Sequence, residues 1–385
     1  MSDITPFKID ISDDALRDLR ERLERTRWPE AETVTDWSQG VPLAYLRELC
    51  RYWGERYDWR ATEARLNALP QFRTEIDGIG VHFAHVRSPH PQALPLVITN
   101  GWPGSMAEYL KVVGPLTDPT AYGGDASDAF HVVLPSIPGY NFSDKPARPG
   151  WNVQRVARAW AELMARLGYD RYGAQGSDWG TSISTSLGQQ DLDHLAGIHL
   201  TPPIAAPDPA TFDDLTRAEQ ATLDALRNAQ EWESGYSAQQ STRPQTLGYA
   251  LLDSPAGLCG WIVEKFRAWT DCDGEPENAL TRDEILDTVT LYWLTGTATS
   301  SARLYWESFK QVSEWFNQVT TDTVTVPTGC SIFPKEIPRP SRRWAAKRYT
   351  DIRYWKEVAQ GGHFAALEQP ELFVDEIRSF FRLVR

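Results

Sequence analysis

Three features of the sequence predict an α/β chain with a mostly parallel central sheet. Apolar runs at Val81 to Val86, Leu94 to Thr99, His131 to Leu134 and Leu195 to Leu200 alternate with helix-compatible stretches, Asn152 to Leu167 being the clearest. The pentapeptide Gly176-Ser177-Asp178-Trp179-Gly180 joins an apolar stretch ending near Tyr172 to a helix-compatible run from Thr181 to Gln190. Roughly 120 helix-rich residues then precede the next strand-like run, Val324 to Phe333, and so long an excursion cannot be a bare loop.

Each segment follows from local pattern. Residues 1–70 read as a helical segment of two Pro-bounded helices with no strand. Ser12 is an N-cap before Ala15, Leu16, Leu19 and Leu23, and Trp28-Pro29 ends that run. Phe72 to Ile76 and Val81 to Val86 flank Asp77-Gly78, a hairpin signal. The sheet-bearing core takes 71–202 and 323–385, and a helical cap takes 203–322, with turns at Ser254-Pro255 and Asp273-Gly274. Ile352 to Val358 is the last strand, and a helix begins near Pro370.

Composition narrows the function classes. Lys plus Arg number 39 against 52 Asp plus Glu, a net charge of −13, which disfavours nucleic acid and anionic membranes as partners. The four cysteines have no metal or redox spacing, and no run approaches the ~20 apolar residues of a membrane span. Without a signal-peptide pattern, the expectation is a soluble cytoplasmic protein, with a homodimer compatible. No phosphate-binding glycine loop or zinc helix is present, so neither cofactor nor metal is expected.

The pentapeptide carries the chemistry. Strand, sharp turn and helix make a nucleophile elbow, with Asp178 where Gly-x-Ser-x-Gly would place serine. A carboxylate is already anionic at neutral pH and can displace a leaving group at saturated carbon. Ser177 abuts it but is off-centre. Asn100-Gly101-Trp102-Pro103-Gly104 follows the Leu94 to Thr99 strand, where an oxyanion-hole loop belongs. Glu336 follows the Val324 to Phe333 run, and His363 sits in Gly361-Gly362-His363-Phe364. The order Asp178, Glu336, His363 is the nucleophile, acid, histidine order of an α/β-hydrolase core. Glu368 is a rival acid, ranked lower because it starts a helix.

At this point the chain resembles the microsomal-type epoxide hydrolases over nearly its whole length. The resemblance is carried by Asp18 to Pro29, Gly101-Trp102-Pro103-Gly104 and the elbow. It extends to Leu252 to Leu258, Glu264-Lys265-Phe266, Tyr292-Trp293 through Gly296-Thr297, and Gly361 to Glu368. It departs at Asn100, where the family usually has histidine. The resemblance implies a small-molecule epoxide substrate, opened by Asp178 to an ester that His363-activated water hydrolyses to a vicinal diol. Backbone N–H groups of Trp102 and Trp179 would form the oxyanion hole, one such donor being worth roughly 3–4 kcal/mol. Two cap phenols would meet the epoxide oxygen, Tyr305 and Tyr236 by local motif, with Tyr249 as the substitute for Tyr236. Relatives of this type also suggest aryl or enediyne epoxides of antibiotic biosynthesis, or detoxification.

Two alternatives stand beside this. A haloalkane dehalogenase shares the Asp nucleophile and the following Trp but needs halide-binding donors instead of phenols. A catalytically inactive hydrolase fold would bind only. Five of the other histidines, His82, His85, His131, His194 and His199, read as structural.

Overall fold

The apolar runs become one nine-stranded sheet. The computed structural model describes residues 3–319 and 322–385. Its strands are β1 (Thr5–Phe7), β2 (Gln71–Ile76), β3 (Ile79–Val86), β4 (Leu94–Thr99), β5 (Phe130–Pro135), β6 (Tyr172–Ser177), β7 (Leu195–Thr201), β8 (Thr328–Ile332) and β9 (Ile352–Glu357). The spatial order is β1-β2-β3-β5-β4-β6-β7-β8-β9. The first three strands and the β3–β5 pair are antiparallel; every pairing from β5 through β4 to β9 is parallel. Asp77 and Gly78 take φ of 51° and 75°, the left-handed pair that a two-residue hairpin requires.

Three corrections concern the sequence expectations. The 1–70 segment does contain a strand. β1 is three residues long, has Pro6 at its centre, and pairs Phe7 with Gln71 at the sheet edge. So short a segment carries no periodicity; pairing with β2 creates it, and an edge tolerates proline. The same segment holds three α-helices, Asp13–Glu24, Leu43–Glu55 and Trp59–Asn67, because Asp58 accepts the Arg60 N–H at 2.9 Å and starts a new one. Ser12 caps the first helix as expected, accepting the Ala15 N–H at 3.2 Å. The Val324 to Phe333 run is shorter as a strand: Val324 makes only a bridge to Tyr349, and Pro327, lacking an N–H, delays the ladder until Thr328.

Between β7 and β8 the chain builds α-helices Arg217–Asn228, Gly235–Thr242, Pro244–Asp253, Pro255–Trp269, Arg282–Thr295 and Ala298–Asn317. Gly235–Thr242 and Pro244–Asp253 pack along Ala298–Asn317, while Pro255–Trp269 packs against Leu43–Glu55. The N-terminal segment is also tied in by a polar cluster at buried Asp287. That carboxylate accepts from Thr62 Oγ1 at 2.6 Å, Tyr57 at 2.8 Å and Arg65 at 2.7 Å. Several donors on one carboxylate offset the desolvation it suffers.

At the centre, β4, β6 and the helix Trp179–Gln190 meet with no room for side chains. A Cβ at Gly180 would overlap the Thr99 carbonyl, and one at Gly176 would overlap the Gly180 carbonyl. Thr181 Oγ1 donates toward the Gly176 and Pro202 carbonyls at 3.1 and 3.2 Å, and Trp160 Nε1 donates to Thr99 Oγ1 at 3.1 Å. These contacts tie the ends of three strands together. Gly176→Ala and Gly180→Ala should therefore each destabilise by about 1–3 kcal/mol or more in urea denaturation, since backbone cannot step aside. Gly235→Ala, where a Cβ meets nothing within 4 Å, should stay within about 0.5 kcal/mol of the parent. Equal midpoints for all three variants would contradict this packing.

Candidate active site

The parallel strands bring their C-terminal ends to one edge. Register pairs Thr99 with Gly176, Gly176 with Leu200, and Leu200 with Cys330. Residues following β4, β6, β8 and β9 therefore converge, although they lie far apart in sequence. Asp178, directly after β6, has φ 53° and ψ −125°, a conformation strained for a residue with a Cβ. The strain turns its carboxylate out of the sheet toward the loop after β4. There the Trp102 N–H donates to Asp178 Oδ1 at 2.8 Å. A Cβ on Gly101 would overlap that carboxylate and crowd the Trp179 nitrogen, so only glycine lets the loop approach.

His363 completes the arrangement. Its Nε2 lies 3.5 Å from Asp178 Oδ2, and its Nδ1 lies 3.0 Å from Glu336 Oε1 and 3.1 Å from Oε2. Glu336 is buried on the loop after β8. Burial alone would lower the pKa of His363, but Glu336 and then Asp178 outweigh it, holding the imidazole proton well above the ordinary histidine range. In the free site the imidazole thus lies between two carboxylates that favour its protonated form. Glu368 does not face the ring. Its oxygens accept the Phe364 N–H at 3.0 Å and the Asp271 N–H at 2.7 Å, and burial pushes its pKa up to about 7.

The two phenols lie opposite. Tyr305 sits on the Ala298–Asn317 helix and packs edge-on to Trp179 at 4.8 Å. Tyr236 sits on the Gly235–Thr242 helix, stacks on Trp102 at 5.2 Å, and lies 5.9 Å from the Tyr305 ring. Burial is the largest influence on both and raises both pKa values, with Asp178 adding to the rise; the phenols keep their protons at neutral pH. Tyr249 is 71% exposed and lacks any such buried environment. Ser177 precedes the elbow apex and contacts neither the imidazole nor Glu336 among the described hydrogen bonds.

Asn100 occupies the position where histidine was expected. Its Nδ2 is buried next to Gly104 and beside the Glu108 carboxyl, whose charged form it favours. Glu108 accepts the Ser105 N–H at 3.1 Å, and burial pushes its pKa up to about 7. Tyr292 donates to the Gly104 carbonyl at 3.1 Å, so the loop is fixed from several sides despite the exchange. His82 is held by Ser136 and Gln71, and His85 by Tyr169, while His199 pairs with Ser331. No metal-binding group of side chains occurs among the described residues, and no described helix is long and apolar enough to cross a membrane.

Sequence reasoning assigned no role to Trp269, yet its carbonyl accepts the His363 N–H at 2.8 Å and its ring lies 4.9 Å from the imidazole. Nearby, Asp271 Oδ2 accepts the Gly361 N–H at 3.0 Å. The only local signal was the Glu264-Lys265-Phe266 motif just upstream. A surface cleft of about 480 Å³ beside Arg148, Arg303 and Trp306 is separate; none of its lining residues belongs to this cluster.

Known proteins show the same organisation. Residues 4–109 match the family model for the epoxide hydrolase N terminus, and residues 95–370 match that for the alpha/beta hydrolase fold. The chain is 53% identical over 382 residues to a protein of Stigmatella aurantiaca (strain DW4/3-1) named "Putative epoxide hydrolase", covering 99% of this chain and 86% of the relative. It is 36% identical to epoxide hydrolase 1 of Sus scrofa, covering 99% and 89%. Among solved structures, Aspergillus niger epoxide hydrolase superposes with a TM-score of 0.88 at 30% identity, covering 100% of this chain and 97% of the other. Juvenile hormone epoxide hydrolase from Bombyx mori gives 0.89 at 29% identity, covering 100% and 96%. With an aspartate at the elbow and this likeness along its whole length, the chain belongs to the epoxide hydrolase family of α/β-hydrolases.

Proposed function

We propose that this epoxide hydrolase works through a covalent ester of Asp178, with Tyr236 and Tyr305 as proton donors and His363, held by Glu336, as the base. One observation carries the proposal. The Asp178 carboxylate accepts the Trp102 amide on Oδ1 and turns Oδ2 toward His363 Nε2, beneath two protonated phenols. Oδ2 attacks an epoxide carbon, the C–O bond breaks, and the leaving oxygen takes a phenolic proton. Water then loses a proton to His363 and adds to the ester carbonyl. Oδ1, already at the Trp102 amide, carries the oxyanion, with the Trp179 amide as the second donor. Collapse expels the diol oxygen, which takes the proton held by His363, and the water oxygen stays on Asp178, whose carboxyl then returns its own proton to the imidazole.

The charge pattern supports a division of labour. Alkylation neutralises Asp178, and His363 loses one of the two carboxylates that hold its proton. Burial then favours the neutral imidazole, and the proton it gives up restores the phenol that opened the ring, so the base is released when water must be activated. The helices between β7 and β8 act as the cap, placing both phenols over the elbow. Aromatic walls of Trp102, Trp179, Trp269 and Phe309 favour an epoxide bearing an aryl or similarly flat group, as in natural-product or detoxification chemistry. Four buried free cysteines are in keeping with a cytoplasmic setting.

The ester makes a direct isotopic prediction. A single turnover of styrene oxide in H₂¹⁸O with enzyme in excess should give diol containing only ¹⁶O, because the new oxygen comes from Asp178. Diol labelled in the first turnover would exclude the ester. For the proton donors, Tyr236→Phe or Tyr305→Phe should each slow alkylation by about 10²–10³-fold in stopped flow, by analogy with loss of one oxyanion donor. The double variant should nearly abolish ring opening; a folded double variant with parental rates would end the phenol assignment. As for pH, the free enzyme's His363 titrates above the ordinary value because Glu336 and Asp178 outweigh burial. In the ester the Asp178 contribution is gone. The rate of ester hydrolysis should therefore rise through a midpoint below the free-enzyme titration of His363 measured by NMR. Coincident midpoints would refute the proposed release of the base.

A further inference from the structure

The Pro255–Trp269 helix buries Leu258, Cys259, Ile262, Val263 and Phe266, and on the same helix it buries a lysine. The Lys265 side chain is 3% exposed. Long cationic side chains ordinarily lay their stems on apolar surface and keep the ammonium in water. Here Nζ is inside, at a desolvation cost that only specific partners can offset. Its ionic partner is Glu264 Oε1 at 2.7 Å. Its other neighbours are aromatic faces: Nζ lies 4.5 Å from the Tyr236 ring centroid and 5.6 Å from that of Trp269. Tyr236 carries the proposed acid, and Trp269 holds the backbone of His363.

Resting on the reading of Tyr236 as a proton donor, we infer that Lys265 is a positioning residue for ring opening, its buried ammonium holding the Tyr236 ring beneath the cap and stabilising the phenolate that develops as the proton leaves. The geometry acts twice. Trp102 stacked at 5.2 Å and the ammonium at 4.5 Å constrain where the phenol can lie. As the proton moves to the epoxide oxygen, negative charge grows on the ring system, and a nearby cation favours the change. Glu264 opposes this and is among the groups that hold the Tyr236 proton, but it is 31% exposed against 3% for Lys265, so solvent screens the carboxylate more than the ammonium as charge develops.

Lys265→Met keeps the stem and removes the charge; Lys265→Gln is a second neutral variant, and Lys265→Arg restores the cation. Each is made in the parent and in Tyr236→Phe, and alkylation and ester hydrolysis by styrene oxide are followed separately by stopped flow and rapid-quench mass spectrometry. Lys265→Met should slow alkylation about tenfold, with ester hydrolysis changed less than about twofold and Lys265→Arg recovering most of the loss. On Tyr236→Phe the same change should cost less than about twofold, because there is no phenolate left to stabilise. The inference falls if Lys265→Met alkylates at the parental rate, if both steps slow equally, or if its effect persists undiminished on Tyr236→Phe. It also falls if both neutral variants fail to fold while Lys265→Arg folds, since the lysine would then be structural. Parental alkylation by Tyr236→Phe alone would be a different failure, that of the proton-donor reading itself.

Discussion

The strained turn at Asp178 is the constraint on which the rest of the molecule depends. A residue with a Cβ adopts φ 53° and ψ −125° only where surrounding structure forces it. The force comes from β4, β6 and the Trp179–Gln190 helix, packed so tightly that Gly176 and Gly180 face carbonyl groups where side chains would stand. Loosening any of the three would let the turn relax and drop the carboxylate away from the Trp102 amide. Much of the core, including buried Trp160 and Ile183, keeps that junction closed.

A second dependence runs between the inserted helices and the histidine. The end of the Pro255–Trp269 helix is bound to the His363 loop by three backbone-directed hydrogen bonds: His363 to Trp269, Gly361 to Asp271, and Asp271 to Glu368. Lys335 adds a link from the Glu336 loop to the Gly361 carbonyl at 3.3 Å. Glu336, His363 and the inserted helices thus form one mechanical unit. Glu368, which faces amide groups in place of the imidazole, contributes to this junction. Its neighbourhood is that of a structural clamp.

Charge in the site is set by what is buried beside what. The same burial that keeps the phenols protonated would neutralise His363, and only two flanking carboxylates reverse it. Glu108, buried near Asn100, has its pKa raised to about 7 for the first of those reasons. In a chain carrying a net charge of −13, the two carboxylates thus favour a cation at its centre.

Local signals were enough for the elbow, the Asp77-Gly78 hairpin, the Ser12 cap and the positions of His363 and Glu336. Each depends on a few neighbouring residues whose backbone preferences are written in their types. The three-residue strand at Thr5 was invisible because its hydrogen bonds belong to β2, and the late start of β8 turned on a single proline within an otherwise apolar run. That Trp269 braces the His363 loop, that Asp287 gathers Tyr57, Thr62 and Arg65, and that Lys265 lies on the Tyr236 ring follow only from packing. Those facts join segments tens to hundreds of residues apart, and distance along the chain carries no information about them. The protonation preference of His363 is likewise a tertiary property, since it is decided by burial and by two partners that follow different strands, β6 and β8.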